Sequence, residues 1–252
     1  MRPALPSPLS PGVTVEILRA RCATCSMHQL CLPMGLDLAD MDKLDRIIGH
    51  RRKVERGATL FRIGDPFVNL YAIRLGHFKT YQLRADGHEQ ITGFQMGGEL
   101  LGMDAISTER HQCDARALED SDVCEIPFNR LQQLLGEMPT LLRHFHRMMG
   151  QEISREQSVM LLLGNMQAYQ RFAAFLVNLS SRYAARGYAA DAFQLRMSRE
   201  DIGNYLGLTI ESISRLLSRF KQDGLLTVSR REVELLAPDR LRAIAAGTEP
   251  YR

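Results

Sequence analysis

Residues 198–220 read SREDIGNYLGLTIESISRLLSRF and carry the clearest local signature in the chain. Ser198, with Asp201 three residues later, is typical of a capping box at a helix start. Gly207 permits a tight turn after this short helix, and Thr209 is suited to cap a second helix. The stretch therefore predicts two helices joined by a glycine turn.

The predicted second helix has one apolar and one polar face. Its apolar residues recur at helical spacing and are Ile213, Leu216, Leu217 and Phe220. Its polar residues share the opposite face and are Glu211, Ser214, Arg215 and Ser218. Arginine can bind guanine O6 and N7 bidentately and glutamate can accept from cytosine N4, so this face has the chemistry of major-groove readout. A purely structural helical hairpin is the alternative.

A β-hairpin is predicted directly after this helix. Apolar residues alternate along its two strands, at Leu226, Val228, Val233 and Leu235. They flank the basic segment Ser229-Arg230-Arg231, so the tip of the hairpin can contact phosphate through Arg230.

A long helix is predicted from Pro139 to about Asn165, followed by another near Gln167 to Ala185. In the long helix, one set of residues follows alternating steps of three and four. The set is Leu142, His146, Met149, Ile153, Glu156, Met160 and Leu163. Such a seam is typical of a two-stranded coiled coil, although a helix packed on its own domain has a similar periodicity.

The first half of the chain has a different pattern. A helix is predicted over about Asp37 to Gly49, and residues 1–14 have the composition of a disordered lead-in. From Val54 to Phe128, short runs with strand character are separated by glycine-containing turns. Short strands separated by regular turns favour an antiparallel barrel or roll.

Three cysteines lie within ten residues, at Cys22, Cys25 and Cys31, and Cys124 follows far downstream. In a reducing compartment, clustered cysteines are metal ligands more often than disulfides. A C-x2-C-x5-C arm with a distant fourth thiolate would tie a metal centre to the fold. Zinc completed by His28 or a fourth cysteine is the rival, and spacing alone lets Cys113 compete with Cys124.

Composition narrows the classes of function. The 252 residues suffice for one or two domains, and the net charge of +3 does not by itself indicate a nucleic-acid partner. No apolar run reaches the roughly 18 residues of a membrane span, and the start lacks an apolar signal region, so a cytoplasmic protein without a membrane partner is expected. No catalytic triad, phosphate loop or paired carboxylates occur in a supporting context, so we do not expect an enzyme.

The chain resembles, nearly end to end, the fumarate and nitrate reduction regulators (FNR), the oxygen-sensing branch of the catabolite-activator superfamily. Matching strings lie at residues 22–26, 29–31, 70–74, 89–94, 124–128 and 201–209. The resemblance implies an α+β fold. Its parts would be a lead-in and cysteine arm (1–36), a cyclic-nucleotide-binding-like β-roll sensor domain (37–138), a dimerisation helix (139–166) and a winged helix-turn-helix (167–252).

The resemblance also implies a function. An oxygen-labile [4Fe-4S] cluster would sit on Cys22, Cys25, Cys31 and Cys124, and the match of residues 124–128 favours Cys124 over Cys113. The intact cluster would favour a homodimer through the seam residues Met149, Ile153, Glu156, Met160 and Leu163. The dimer would bind a palindromic operator and recruit RNA polymerase, and oxygen would convert the cluster and separate the dimer.

Base reading would fall to Glu211, Ser214 and Arg215, with Thr209 and Arg230 as further DNA contacts. Near Gly87, in the loop that the family uses to touch polymerase, this chain has His88 where an acid is usual.

Two other interpretations concern ligands. Cyclic-nucleotide-binding relatives use a Gly-Glu-Leu turn and an Arg-Ser pair on the phosphate. The turn is present at Gly98-Glu99-Leu100, but His111-Gln112-Cys113 stands in place of the pair, so no cyclic nucleotide is expected. The alternative function is a redox-inert DNA-binding or protein-binding module with structural zinc at the cysteines. If four cysteines hold a cluster, His28 is expected to be a surface residue.

Overall fold

The computed structural model describes residues 22–48, 51–84, 87–249 and 251. The predicted disordered lead-in lies outside these ranges, as do Gly49 and Asp86. The cysteine arm begins with a 3-10 turn at Cys22–Thr24 and leads to α1 (Leu38–Ile47). The Asp37 side chain caps α1 by accepting a 2.8 Å hydrogen bond from the Asp40 N–H. The first predicted helix is therefore confirmed over its described residues.

The predicted roll is also confirmed. Its strands are β1 (Arg51–Val54), β2 (Thr59–Phe61), β3 (Asn69–Leu75), β4 (His77–Leu83), β5 (Glu89–Met96), β6 (Leu100–Leu101), β7 (Asp114–Ala117) and β8 (Ser121–Pro127). They pair antiparallel into two four-stranded sheets with the orders β1-β8-β3-β6 and β2-β7-β4-β5. Side chains from both sheets, including Ile73, Phe78 and Val123, form the core between them. Gly76 links β3 to β4 with φ +95°, where a Cβ would lie 2.1 Å from Ser121 Oγ.

Three helices follow the roll: α2 (Phe128–Glu137), α3 (Pro139–Asn165) and α4 (Ala168–Ala184). The first half of α3 is anchored to the roll and the arm through buried Leu141, Phe145 and Met148. Its second half buries far less and leaves Ile153 53% and Met160 73% exposed. The helix itself is as predicted, and its second half leaves an apolar surface uncovered.

The C-terminal part has the predicted winged helix-turn-helix. Its elements are β9 (Ala192–Gln194), α5 (Arg199–Leu206), α6 (Ile210–Gln222), β10 (Leu226–Ser229), β11 (Glu232–Leu235) and α7 (Pro238–Ala246). Ser198 and Asp201 form the capping box of α5, Gly207 adopts the left-handed conformation, and Thr209 caps α6. The hairpin β10–β11 turns at Arg230, and β9 completes a three-stranded sheet.

The roll and the helix-turn-helix contact each other through β4, β5 and α5. The Ile91 N–H donates to Asn204 Oδ1 at 2.7 Å, and Lys79 Nζ donates to both Glu89 and Asp201. Phe94 and Met96 of β5 share a core with Phe175 of α4. The roll and the C-terminal helices therefore pack directly against each other within the α+β fold. No helix in the described part of the chain is both long and apolar enough to cross a bilayer.

Candidate functional site

The four predicted cysteine ligands line one cavity. Cys22, Cys25 and Cys31 come from the arm, and Cys124 comes from β8, where it pairs with Arg51 of β1 and Ala72 of β3. The cavity wall between them is mostly apolar and includes Leu32, Leu44 and Ile126. Within residues 22–48, 51–84, 87–249 and 251, no three His, Cys, Asp or Glu side chains lie close enough together to hold a single metal ion.

Hydrogen bonds at Cys22 and at Cys31 attach the arm to helices. The Cys22 N–H donates to Asp45 of α1, with distances of 2.8 and 3.1 Å to the two carboxylate oxygens. At the other end, His144 Nε2 of α3 donates to the Cys31 carbonyl oxygen at 3.0 Å. Leu32, next to Cys31, is 1% exposed and packs in the core shared with α1, α2 and α3. The cysteine arm is thus attached directly to the long helix.

Burial sets the protonation of the thiols. It raises the pKa of Cys31 to about 12 and also raises the pKa of Cys22, where Asp45 adds to the effect. In Cys124, burial raises the pKa more than the neighbouring Arg51 lowers it. Without a metal these thiols therefore stay protonated at neutral pH, whereas a coordinated cation would stabilise the thiolates.

Two guanidinium groups stand beside the cavity. Arg51 and Arg74 both line the cavity with Cys124 and Cys25, and Arg74 donates a hydrogen bond to Asp122 at 3.0 Å. Positive charge at the wall favours thiolate over thiol and suits an anionic group inside.

Cys113 does not reach this cavity. It is buried in the core between the two sheets, and its Sγ lies 3.6 Å from Asp104 Oδ2. Burial raises its pKa, with a smaller contribution from Asp104. His28, expected on the surface, is half-buried and lines the wall of the cysteine cavity. Its Nδ1 lies 2.8 Å from the Cys25 carbonyl oxygen.

The contact of His144 with the arm was not predicted from the sequence. A signal was available, since His144 lies three residues after Leu141 and four before Met148, on the apolar face of α3. Such a buried histidine needs a hydrogen-bond partner. The partner itself, a carbonyl 113 residues earlier in the chain, is a product of the tertiary fold.

The outer face of α6 is exposed to solvent. Glu211, Arg215 and Ser218 are exposed and Ser214 is half-buried. Thr209 accepts a 3.2 Å hydrogen bond from the Ser212 N–H and so fixes the start of the helix. Arg199 of α5, which was not predicted as a site residue, is exposed, and its Nη1 lies 3.4 Å from Ser214 Oγ. The arrangement offers carboxylate, hydroxyl and guanidinium groups on the outer face of one helix, with Arg230 exposed at the tip of the hairpin.

Comparison with known proteins agrees with this architecture. Two family models match, the cyclic nucleotide-binding domain over residues 51–138 and the Crp-like helix-turn-helix domain over residues 170–244. The transcriptional activator protein Anr of Pseudomonas aeruginosa is 47% identical over 229 residues, which cover 91% of this chain and 94% of that protein. The chain belongs to the CRP/FNR family.

Another CRP/FNR relative is the fumarate and nitrate reduction regulatory protein of Escherichia coli, 47% identical over 227 residues, which cover 90% of this chain and 91% of that protein. Among solved structures, FixK2 from Bradyrhizobium japonicum is 30% identical with a TM-score of 0.71, covering 77% of this chain and 96% of that chain. These comparisons confirm the resemblance drawn from the sequence.

Membership in the CRP/FNR family makes the chain a DNA-binding transcription regulator and not an enzyme. The roll that matches the cyclic nucleotide-binding domain has no Arg-Ser pair at residues 111–113. His111 instead stacks on Phe61 with ring centroids 3.7 Å apart, and Cys113 is buried beside Asp104.

Proposed function

We propose that the chain is an oxygen-responsive global transcription regulator. In this proposal a [4Fe-4S] cluster on Cys22, Cys25, Cys31 and Cys124 promotes dimerisation and sequence-specific DNA binding under anaerobic conditions, and oxygen destroys the cluster and inactivates the protein. The observation that carries the proposal is the convergence of four cysteine side chains, one of them from β8, on one apolar cavity.

The donor set fits the group. In a [4Fe-4S] cluster each thiolate binds a different iron, so four cysteines distributed around a cavity are suited to it, and a trio gathered on one ion is not required. The apolar wall excludes water, and Arg51 and Arg74 lower the cost of placing negative charge there. When bound, the cluster would supply the oxygen-reactive redox chemistry.

When the cavity is occupied, the protein's own residues would hold the arm in a fixed position. Cys22 is held to α1 through Asp45, and Cys31 is held to α3 through His144. A group that joins these cysteines to Cys124 would fix both ends of the arm against the roll. Loss of that group would leave the hydrogen bonds and the packing of Leu32 as the remaining attachments.

Dimerisation would use the seam of α3. Met149 is half-buried, whereas Ile153, Glu156, Met160 and Leu163 are exposed and form a stripe for a second copy of the chain. In a parallel pair, Glu156 would approach its symmetry mate. Two like charges about 4 Å apart repel by up to about 4 kcal/mol at an effective dielectric near 20, so the seam is weak enough for a cluster to control.

The homodimer would bind a palindromic operator through α6. Glu211, Ser214 and Arg215 would contact base edges, and Thr209 and Arg230 would contact the DNA backbone. A cytoplasmic regulator of this kind recruits RNA polymerase, with the loop around Gly87 and His88 as one contact. In this scheme residues 1–36 form the lead-in and cluster arm, 37–138 the sensor, 139–166 the dimerisation helix and 167–252 the DNA-binding domain.

Metal and sulfide analysis tests the cofactor. Protein purified without oxygen should contain about four iron and about four acid-labile sulfide per chain and should be brown. About one zinc per chain, without sulfide, would overturn the proposal in favour of a redox-inert module.

A further inference from the structure

One turn of the roll is contacted by the cysteine arm. Gly97 and Gly98 lie between β5 and β6, and Gly98 has φ +88°. A Cβ on Gly98 would lie 2.9 Å from Leu30 Cβ, and one on Gly97 would lie 3.3 Å from Met27 Sδ. Met27 and Leu30 belong to the segment between Cys25 and Cys31. This part of the arm therefore packs directly on the backbone of the turn, with no room for a side chain between them.

The next residue of the turn is bound by Arg182 of α4 and by Arg186, which lies two residues after the end of that helix. Glu99 is 16% exposed and receives hydrogen bonds from Arg182 Nη2 and Arg186 Nη2, each 2.7 Å long. Arg186 Nε also donates to the Gly97 carbonyl oxygen at 2.6 Å, and Arg182 Nη2 donates to the Phe94 carbonyl oxygen at 2.7 Å. Because α4 opens the C-terminal domain, these bonds fix that domain to the turn.

The same carboxylate also interacts with α3. Arg155 Nη1 lies 3.5 Å from Glu99 Oε2, and Arg155 Nη2 pairs with Glu152 one turn earlier. Arg155 is adjacent in sequence to Glu156 and two residues after Ile153, and both of these seam residues are exposed. The ion pair thus positions α3 at the section that carries the central seam residues.

The charges on Glu99 and its arginine partners make these contacts sensitive to geometry. Burial acts to raise the pKa of Glu99, but Arg182, Arg155 and Arg186 outweigh it and hold the pKa at about 2. A buried carboxylate among three guanidinium groups is stable only while the groups keep their relative positions, since displacing one partner leaves buried charge uncompensated.

We propose that the turn Gly97–Glu99 couples occupancy of the cysteine cavity to dimerisation through α3 and to the position of the C-terminal domain. On this inference, which rests on the proposed function, Met27 and Leu30 press on the turn only while the arm is fixed. Glu99 then aligns α3 for pairing through Arg155 and aligns the C-terminal domain through Arg182 and Arg186. Glu99 is a positioning residue downstream of the cysteines and takes no part in binding the metal centre.

The test is a thermodynamic cycle on the full chain. The dimer dissociation constant is measured by sedimentation equilibrium without oxygen, for cluster-loaded and cluster-free protein, in wild type and in Glu99→Gln. The ratio of the cluster-free to the cluster-loaded dissociation constant measures how strongly the cluster is coupled to dimerisation. This ratio does not depend on the intrinsic strength of the seam. Coupling between sites is typically 5- to 150-fold, so the proposed role of the turn predicts that this ratio falls at least about fivefold in Glu99→Gln.

Iron and sulfide content should be unchanged in Glu99→Gln. The matched control is Glu249→Gln, which also removes a carboxylate bound to arginine, here Arg240 at 2.8 Å in the C-terminal domain, and should keep the wild-type ratio. If Glu99→Gln does not fold, Arg155→Met takes its place in the cycle with the same expected loss of coupling.

An unchanged ratio in a variant that still holds its cluster would overturn the proposed role of the turn and leave the proposed function standing. Selective loss of iron from folded Glu99→Gln would also overturn it, because the residue would then act on the site itself. A wild-type protein that holds no cluster would instead overturn the proposed function, and the role of the turn with it.

Discussion

Cys124 and Cys113 are only eleven residues apart, yet they lie in different environments. Cys124 on β8 faces the cavity shared with the arm, whereas Cys113 is enclosed between the two sheets beside Asp104. Sequence spacing alone could not separate the two thiols, because either could have supplied a distant fourth ligand. Strand position decides which of them meets the arm.

Substitution of these cysteines should therefore have opposite outcomes. Cys124→Ser should abolish iron binding in anaerobically purified protein, as should Cys22→Ser, Cys25→Ser and Cys31→Ser, because each removes one corner ligand. Cys113→Ser should keep the full iron and sulfide content. Iron retained in Cys124→Ser and lost in Cys113→Ser would show that the fourth ligand is assigned wrongly.

Arg215 and Arg230 should make different contributions to DNA binding. Arg215→Ala should cost roughly 1 to 3 kcal/mol per half-site and relax the preference at one guanine, since it removes a base contact. Arg230→Ala should weaken binding evenly across sequences and flatten the dependence on salt. Titrations of operator and random DNA at several salt concentrations measure both effects. Equal losses on the two DNAs for Arg215→Ala would remove it from the base-reading set.

The buried His144 gives a prediction about stability. His144→Leu should destabilise the metal-free protein by about 1 to 3 kcal/mol, because the Cys31 carbonyl loses its donor in a largely buried place. Urea unfolding of metal-free protein measures the change. The control is His146→Leu, two residues away and exposed, which should stay within about 0.5 kcal/mol of wild type. Equal effects in both variants would show that the contact is not stabilising.

At the scale of elements, α5 and α6 could be predicted from the sequence because their signals are local. Ser198, Gly207 and Thr209 each act within a few residues, through a cap, a left-handed turn and a second cap. The contacts of His144 and Glu99 could not be predicted in this way. Their partners lie 113 and up to 87 residues away, and only the packed fold brings them together.

The long helix α3 combines both cases. Its bounds were predicted correctly from Pro139 and the apolar periodicity. Its two halves serve different surfaces, since the first is buried against the roll and the second carries exposed Ile153 and Met160. Apolar periodicity does not distinguish a helix face that packs on its own chain from one that packs on a second chain. The dimer seam therefore stays a prediction.

Two substitutions on α3 test that seam. Glu156→Ala should allow dimers even in air, because it removes a repulsion of up to about 4 kcal/mol between symmetry mates. Ile153→Ala should remain monomeric even without oxygen, because it removes an apolar contact from a weak interface. Analytical sedimentation with and without oxygen measures both. Purely monomeric Glu156→Ala in air, in a buffer where the cluster-loaded wild type is dimeric, would place the control of dimerisation elsewhere.

At the scale of the whole molecule, the cysteine arm occupies a central position. It contacts α1 through Cys22, α3 through Cys31, and the turn before β6 through Met27 and Leu30. The roll in turn contacts the helix-turn-helix through Lys79 and Asn204. The sequence was sufficient to predict the roll, the long helix and the DNA-binding fold. It was not sufficient to predict how the arm is attached to them, because that depends on long-range contacts.

Sedimentation of wild-type protein before and after exposure to air tests the central claim most directly. The visible absorption is recorded in the same cell as the sedimenting species, so the state of the metal centre and the oligomeric state are measured together. We predict a brown dimer without oxygen that loses its colour and becomes monomeric at the same rate in air. A colourless species whose oligomeric state does not change in air, or a dimer that outlasts its colour, would contradict the account.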